Sequence, residues 1–238
     1  MSAFQTVDYQ KQGDVALVTL RRPDVINAFN VQMRDDLYEV MQAVRDDSEV
    51  RGILLSGAGE GGFCAGADLT EFGSAPSQAV AREVRWERDL WGLMRGITKP
   101  SVASIHGYCL GSGVEIACLC DIRVCSDDAM FGMPEVGFGL VPAAVGTQTL
   151  PRTLGQGRAL ELLMTGRRFN ADEAHAYGLV SEVVPRVVLR DRAVALLTHV
   201  LDAPDNALSL AKRAVTEGAD LSVADGLALE ARLSQQLI

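Results

Sequence analysis

Glu115 is the one acid inside an apolar, glycine-punctuated run, Gly107-Tyr-Cys-Leu-Gly-Ser-Gly-Val-Glu-Ile-Ala-Cys-Leu-Cys120. Twenty residues later Glu135 follows a proline in Phe131-Gly-Met-Pro-Glu-Val-Gly137, again with little polar company. A carboxylate buried in such a run loses the water that solvates its charge. Burial raises a carboxyl pKa toward working pH, and two acids tuned in this way can take up a proton and give one back. The plainer alternative is a pair of structural acids, each neutralised by an arginine or a helix end, since structural ion pairs perturb carboxylates too.

Two glycine turns could complete such a site. Ala65-Gly-Ala67 and Leu110-Gly-Ser-Gly113 each follow a buried apolar strand, where backbone NH groups can be left free. The second predicts a short helix from Gly113 to about Leu119, with the NH of Ser112 at the positive end of its dipole. Two such NH groups converging on one carbonyl oxygen form an oxyanion hole, in which each donor is worth about 3 kcal/mol. Glycine beside each donor lets a substrate approach the backbone closely. Read more simply, both segments are tight turns. A third segment, Gly57-Ala-Gly-Glu-Gly-Gly62, matches a dinucleotide fingerprint in form. That fingerprint needs its last glycine to open a helix, and here the chain runs on into Phe63-Cys-Ala-Gly-Ala-Asp-Leu69, so a nicotinamide site is disfavoured.

The elements that must position these residues are legible in outline. Val15–Leu20 reads as a strand, 31–46 as a helix with Leu37, Val40, Met41 and Val44 on one face, and Gly52–Ser56 as a buried strand. Ala79–Ile97 reads as an amphipathic helix ended by Lys99-Pro100, and Ser101–Ile105 as the next strand. Further strands are expected at Ile122–Cys125 and Leu179–Val184, and after Pro185 the pattern is helical to the end. The fold class is α/β, divided as a core with the active site over 1–185 and a helical region over 186–238.

Composition narrows the partners. With 238 residues and 48% hydrophobic but only 5% aromatic content, the chain can build an aliphatic core unaided. A net charge of −9 argues against nucleic acid and anionic membrane surfaces as partners. No apolar run is long enough to span a bilayer, and the first residues lack the basic and apolar regions of an export signal. The five cysteines, Cys64, Cys109, Cys118, Cys120 and Cys125, lack zinc-knuckle spacing and sit mostly in apolar runs, where free cysteine acts as a small hydrophobe. No metal site is expected, and the compartment is expected to be reducing, most simply the cytoplasm.

Phe63-Cys-Ala-Gly-Ala-Asp-Leu69, Lys99-Pro100, His106–Glu115, Cys120-Asp-Ile122 and Phe131–Val136 resemble, in order, the motifs of the crotonase (enoyl-CoA hydratase/isomerase) superfamily. The similarity extends from Arg22-Pro23 and Asn27-Ala28 through Thr165-Gly-Arg-Arg-Phe169 and Gly178-Leu-Val180 to about Pro185. The resemblance implies a spiral of β-β-α turns, a C-terminal helical region that forms trimers or dimers of trimers, and an acyl-CoA thioester as ligand. It implies oxyanion donors at the NH groups of Ala67 and Ser112. It also implies hydration of a 2-enoyl-CoA to a 3-hydroxyacyl-CoA, with Glu115 as general base toward water and Glu135 governing the proton at Cα. Asn27, Ala28 and Asp68 fall on positions that shape the CoA channel, and Val25 and Ala65 on backbone contacts to its adenine end. No metal or redox cofactor is implied, since CoA enters with the substrate. A dehydratase, a double-bond isomerase and a non-catalytic binding paralogue are the alternatives.

Three departures from the family pattern stand out. Ser112 occupies the middle of a turn that is usually all glycine, and Pro142-Ala-Ala-Val-Gly-Thr147 carries side chains where glycines are more usual. The sequence also ends at Ile238, before a last helical stretch common in the family, from which weakened CoA binding is expected.

Overall fold

Residues 4–71 and 87–237 are described by the structure, a computed structural model. Residues 79–86 of the predicted helix Ala79–Ile97 lie outside the described residues; the described part contains a helix at Leu90–Gly96, capped by the Asp89 carboxylate.

The predicted strands assemble into one six-stranded sheet. β1 (Val7–Gln12) and β2 (Val15–Leu20) form an antiparallel hairpin, and β2, β3 (Gly52–Gly57), β5 (Ser101–Ile105), β7 (Ile122–Ser126) and β10 (Glu182–Val184) run parallel in that order. The last strand is shorter than the expected Leu179–Val184. Alternate residues of the central strands enter two different cores. Ile53, Leu55, Ala103, Ile105 and Cys125 face the main core, whereas Leu54, Val102 and Val124 meet a second one. Burial on both faces is why these strands read as unbroken apolar runs.

Between the long strands lie three short ones, β4 (Gly62–Cys64), β6 (Tyr108–Leu110) and β8 (Met130–Gly132). They pair parallel with one another, and β9 (Arg168–Asn170) adds to β8 antiparallel, giving a second sheet. The pairs β3–β4, β5–β6 and β7–β8 therefore each put one strand in each sheet before the chain turns away through helical structure. This is a spiral of β-β-α turns, as the resemblance implied. It brings the carboxyl ends of β4, β6 and β8 side by side, the place where ligands bind in parallel sheets.

Helices close the cores. α1 (Val31–Asp46), capped by Asn30 on the Met33 NH, buries Met33, Leu37, Val40, Met41 and Val44 in the main core. Each such side chain contributes about 1.5–3 kcal/mol on burial, far above the few tenths of a kcal/mol of helix propensity, so the apolar face decides this element. After α2 (Leu90–Gly96) come α3 (Ser112–Cys118), α4 (Gly146–Leu154), α5 (Gln156–Thr165) and α6 (Ala171–Ala176). α7 (Leu189–Leu201) covers the outer face of the large sheet through Leu189, Ala193, Leu197 and Leu201. α8 (Asp205–Gly218) and α9 (Val223–Ser234) pack on each other around Leu210, Leu229 and Leu233, a small core of their own. No helix among the described residues is long and apolar enough to cross a membrane.

Candidate active site

The two glycine turns follow β4 and β6, and parallel pairing of those strands brings them together. A methyl group built on Gly111 would lie 3.7 Å from the Cα of Gly66, so the turns touch backbone to backbone. Gly66 has φ +103° and Gly111 φ +48°, both in the half of backbone space that suits glycine. Gly113 packs against the end of β4, where an added methyl would meet the Cys64 carbonyl oxygen at 2.5 Å.

The geometry of both turns leaves the expected NH groups without acceptors. Ala67 forms an isolated parallel bridge with Phe29, in which Phe29 bonds the carbonyl of Gly66 and the NH of Asp68. In that pattern the NH of Ala67 itself points to the other side. Helix α3 begins at Ser112, one residue earlier than its sequence suggests, with Gly111 as N-cap. The Ser112 NH is thus the first of the NH groups that a helix leaves unused. Neither NH has an acceptor among the described residues.

Glu115 sits on the first turn of α3 and is 2% exposed. Its Oε1 accepts two main-chain hydrogen bonds, from Gly146 at 2.8 Å and Ala144 at 3.0 Å, at the start of α4. The orientation of this carboxylate is therefore set by backbone. The segment 142–147 has to pack closely to do this: a methyl on Gly146 would meet Glu115 Oε1 at 2.9 Å.

Glu135 opens a short 3-10 turn, Glu135–Phe138, beyond the end of β8. Its Oε1 lies against Gly111, 2.5 Å from where a methyl there would be, so the second acid meets the turn that bears the first. Its Oε2 is buried with no hydrogen-bond partner among the described residues. Burial pushes the carboxyl pKa above the ordinary glutamate range, against a smaller opposing effect of its own backbone NH.

The other expected positions divide. Asn27 is fully buried and spent within the protein: its Oδ1 accepts from the Arg22 NH, and its Nδ2 donates to the carbonyls of Ala58 and Gly62. Its polar side-chain atoms are thus engaged inside the protein, behind the 58–62 loop. Asp68 is held by Thr70 and by an ion pair with Arg22 at 2.9 Å, which together keep its carboxyl below the ordinary range. Arg22 also donates to the Ala28 carbonyl, so Arg22, Ala28 and Asp68 form one clamp under the 65–68 turn. Ala65 donates to Ile26, the Val25 carbonyl accepts from Ala28, and the Val25 side chain is exposed.

Remaining candidates serve packing. The loop 57–62 leads into β4, and its glycines pack closely, with a methyl on Gly59 falling 2.7 Å from Pro23. His106 bonds the Gly59 carbonyl, and burial lowers its pKa below the ordinary imidazole range. Burial pushes the thiols of Cys64, Cys120 and Cys125 up to about 12. No group of three or more His, Cys, Asp or Glu among the described residues is arranged to hold a metal ion. A cavity of about 640 Å³ beside Tyr108, Met130 and Arg168 lies at the amino ends of β6 and β8, away from both glutamates.

A family model for enoyl-CoA hydratase/isomerase matches residues 10–238. The chain belongs to the enoyl-CoA hydratase/isomerase family. It is 36% identical to a short-chain-enoyl-CoA hydratase of Clostridium acetobutylicum, over 95% of this chain and 87% of the relative. An enoyl-CoA hydratase subunit from Geobacillus kaustophilus superposes with a TM-score of 0.93 at 35% identity, covering 99% of this chain and 91% of that one. A relative from Thermobifida fusca, solved in complex with CoA, superposes with a TM-score of 0.90 at 29% identity, over 97% and 92% of the two chains.

Sequence reasoning missed two parts of this candidate site. The NH groups of Ala144 and Gly146 that hold Glu115 were read only as a departure from the pattern. Arg22, the cation of the clamp, was quoted with Pro23 as a motif but given no task. Backbone donors carry no residue signature, and here only Gly146, at the head of a helix, marks the place.

Proposed function

We propose that this enzyme adds water to the double bond of a 2-enoyl-CoA thioester to give the 3-hydroxyacyl-CoA. The observation that carries the reading is the contrast between two acids around one turn. Glu115 is fixed by two backbone donors, and Glu135 has an unpartnered buried oxygen and a raised pKa. Two carboxyl groups in such different surroundings suit separate acid and base roles.

The substrate carbonyl oxygen sits between the NH groups of Ala67 and Ser112, where charge developing on the thioester is stabilised by the two donors and the amino end of α3. Glu115 takes a proton from water as the oxygen adds to Cβ. Glu135, whose pKa is raised by burial, supplies the proton at Cα. Hydroxyl and proton go to different carbons on one face, which suits two carboxyl groups; moving a double bond along the chain would need only one. These steps call for no metal or redox group, and CoA enters and leaves with the acyl chain. Arg22, Ala28, Asp68, Ala65 and Val25 frame the CoA side of the site.

Val136, Phe138 and Val141 stand 47%, 58% and 67% exposed on the segment following Glu135, and Val215, Val223 and Leu227 are exposed on the α8–α9 pair. Apolar surface of this extent is covered by an acyl chain or a neighbouring subunit. The helical region after Pro185 supplies subunit contacts, and the assembly is a trimer or a dimer of trimers. Free buried thiols suit a reducing compartment, most simply the cytoplasm. The test is a panel of enoyl-CoA esters, short to long and branched, followed by loss of the conjugated thioester. Hydration of at least one ester is expected; no turnover of any, with saturated acyl-CoA binding intact, would contradict the reading.

A further inference from the structure

Val145 has φ +104° and ψ −10°, in a region where a β-branched residue is an outlier. Such backbone strain persists only where the surroundings over-determine it, and it gathers at functional sites. Here the surroundings are specific. The residues on either side, Ala144 and Gly146, aim their NH groups at the same oxygen of Glu115. The Val145 carbonyl accepts from the NH groups of Gln148 and Thr149 and from the Thr149 hydroxyl. The positive φ is what turns two NH groups two residues apart toward one anion, as in the backbone concavities that bind anions elsewhere. Glycine would adopt this conformation without strain. Valine adopts it at a cost, so the surrounding hydrogen bonds hold the turn in place, and its branched side chain is stiff about χ1.

We propose that Val145 is a positioning residue for the reaction: its constrained left-handed backbone holds the Ala144 and Gly146 donors rigidly on Glu115 and so fixes the base against the attacking water. The proposal rests on Glu115 being that base. Misplacement of a reacting group by about 1 Å can cost a factor of about 100, so even modest slack in the two donors reaches the rate.

The test compares Val145→Gly, Val145→Thr and Glu115→Gln as purified, folded proteins on one 2-enoyl-CoA. Val145→Gly is expected to melt at or above the wild-type temperature, because the strain is gone, while kcat falls about five- to tenfold and KM stays within about twofold. Val145→Thr, which keeps the β-branch, is expected to restore most of kcat. A Val145→Gly enzyme with wild-type kcat, or one that changes only in KM or in preference among acyl chains, would overturn the proposal. If Val145→Gly melts well below the wild type, the rescue by Val145→Thr decides, and its failure to restore kcat overturns the proposal. Should Glu115→Gln itself stay active, the base assignment fails; should it be inactive while Val145→Gly is not, only the role of Val145 fails.

Discussion

The carboxylate of Glu135 rests against Gly111: a methyl group on that glycine would lie 2.5 Å from Oε1, closer than real contacts of this kind come. Gly111 also caps α3 and precedes the Ser112 donor. One small residue thus separates the Glu135 carboxylate from the NH of Ser112. Gly111→Ala should fail on two counts, steric contact with Glu135 and backbone strain at φ +48°. Strain of this type costs about 1–3 kcal/mol, and each kcal/mol lowers the melting temperature of a chain this size by about 2–4 °C. Hydration should fall on the order of 100-fold through displacement of the acid. Thermal melts and initial rates check this, and a Gly111→Ala enzyme like the wild type in both would refute the contact.

Glu135 gives a pH-dependent stability with a defined sign. Its native pKa is raised above the ordinary 4.5 by burial, so the native state binds the proton more tightly than the unfolded chain does. The stability contributed is present in full below the ordinary pKa and is lost as pH rises through the raised native value. Glu135→Gln cannot ionise and escapes that loss. The variant should gain in melting temperature relative to wild type as pH rises from 4.5 to 8, although its turnover is lost. A difference that is constant with pH would show that Glu135 is not perturbed.

Ser112 is expected to act through its NH. Ser112→Ala should keep kcat within about threefold, whereas Ser112→Pro, which removes the donor, should lose about 100- to 1,000-fold. Proline is tolerated at a first helical position, so the helix itself should survive. Circular dichroism and binding of a saturated acyl-CoA confirm that the variants are folded. A large loss in Ser112→Ala would assign the role to the hydroxyl.

Much of this site was legible because acids in apolar runs and glycines after strands are local signals. Glu115 and Glu135 could be singled out for that reason, as could α1, whose apolar face repeats at helical spacing. β4, β6 and β8 were not separable, since three residues are too few to show a period, and it is their parallel pairing that joins the two turns. β1 was missed because its residues after Val7 are polar and progressively exposed. Asn27 matched a channel motif, but its hydrogen bonds to Ala58 and Gly62 depend on contacts more than thirty residues away. The cradle of Glu115 is backbone NH, which has no letter in the sequence.

The most direct test of the central claim is the rate at which purified Glu115→Gln hydrates a short-chain 2-enoyl-CoA, followed by loss of the conjugated thioester. Glutamine keeps the size of the side chain but cannot take the proton from water. The account predicts a kcat at least about 100-fold below wild type, the scale expected for loss of a positioned base, with the melting temperature showing a folded enzyme. A folded Glu115→Gln enzyme whose kcat stays within a few-fold of wild type would contradict it.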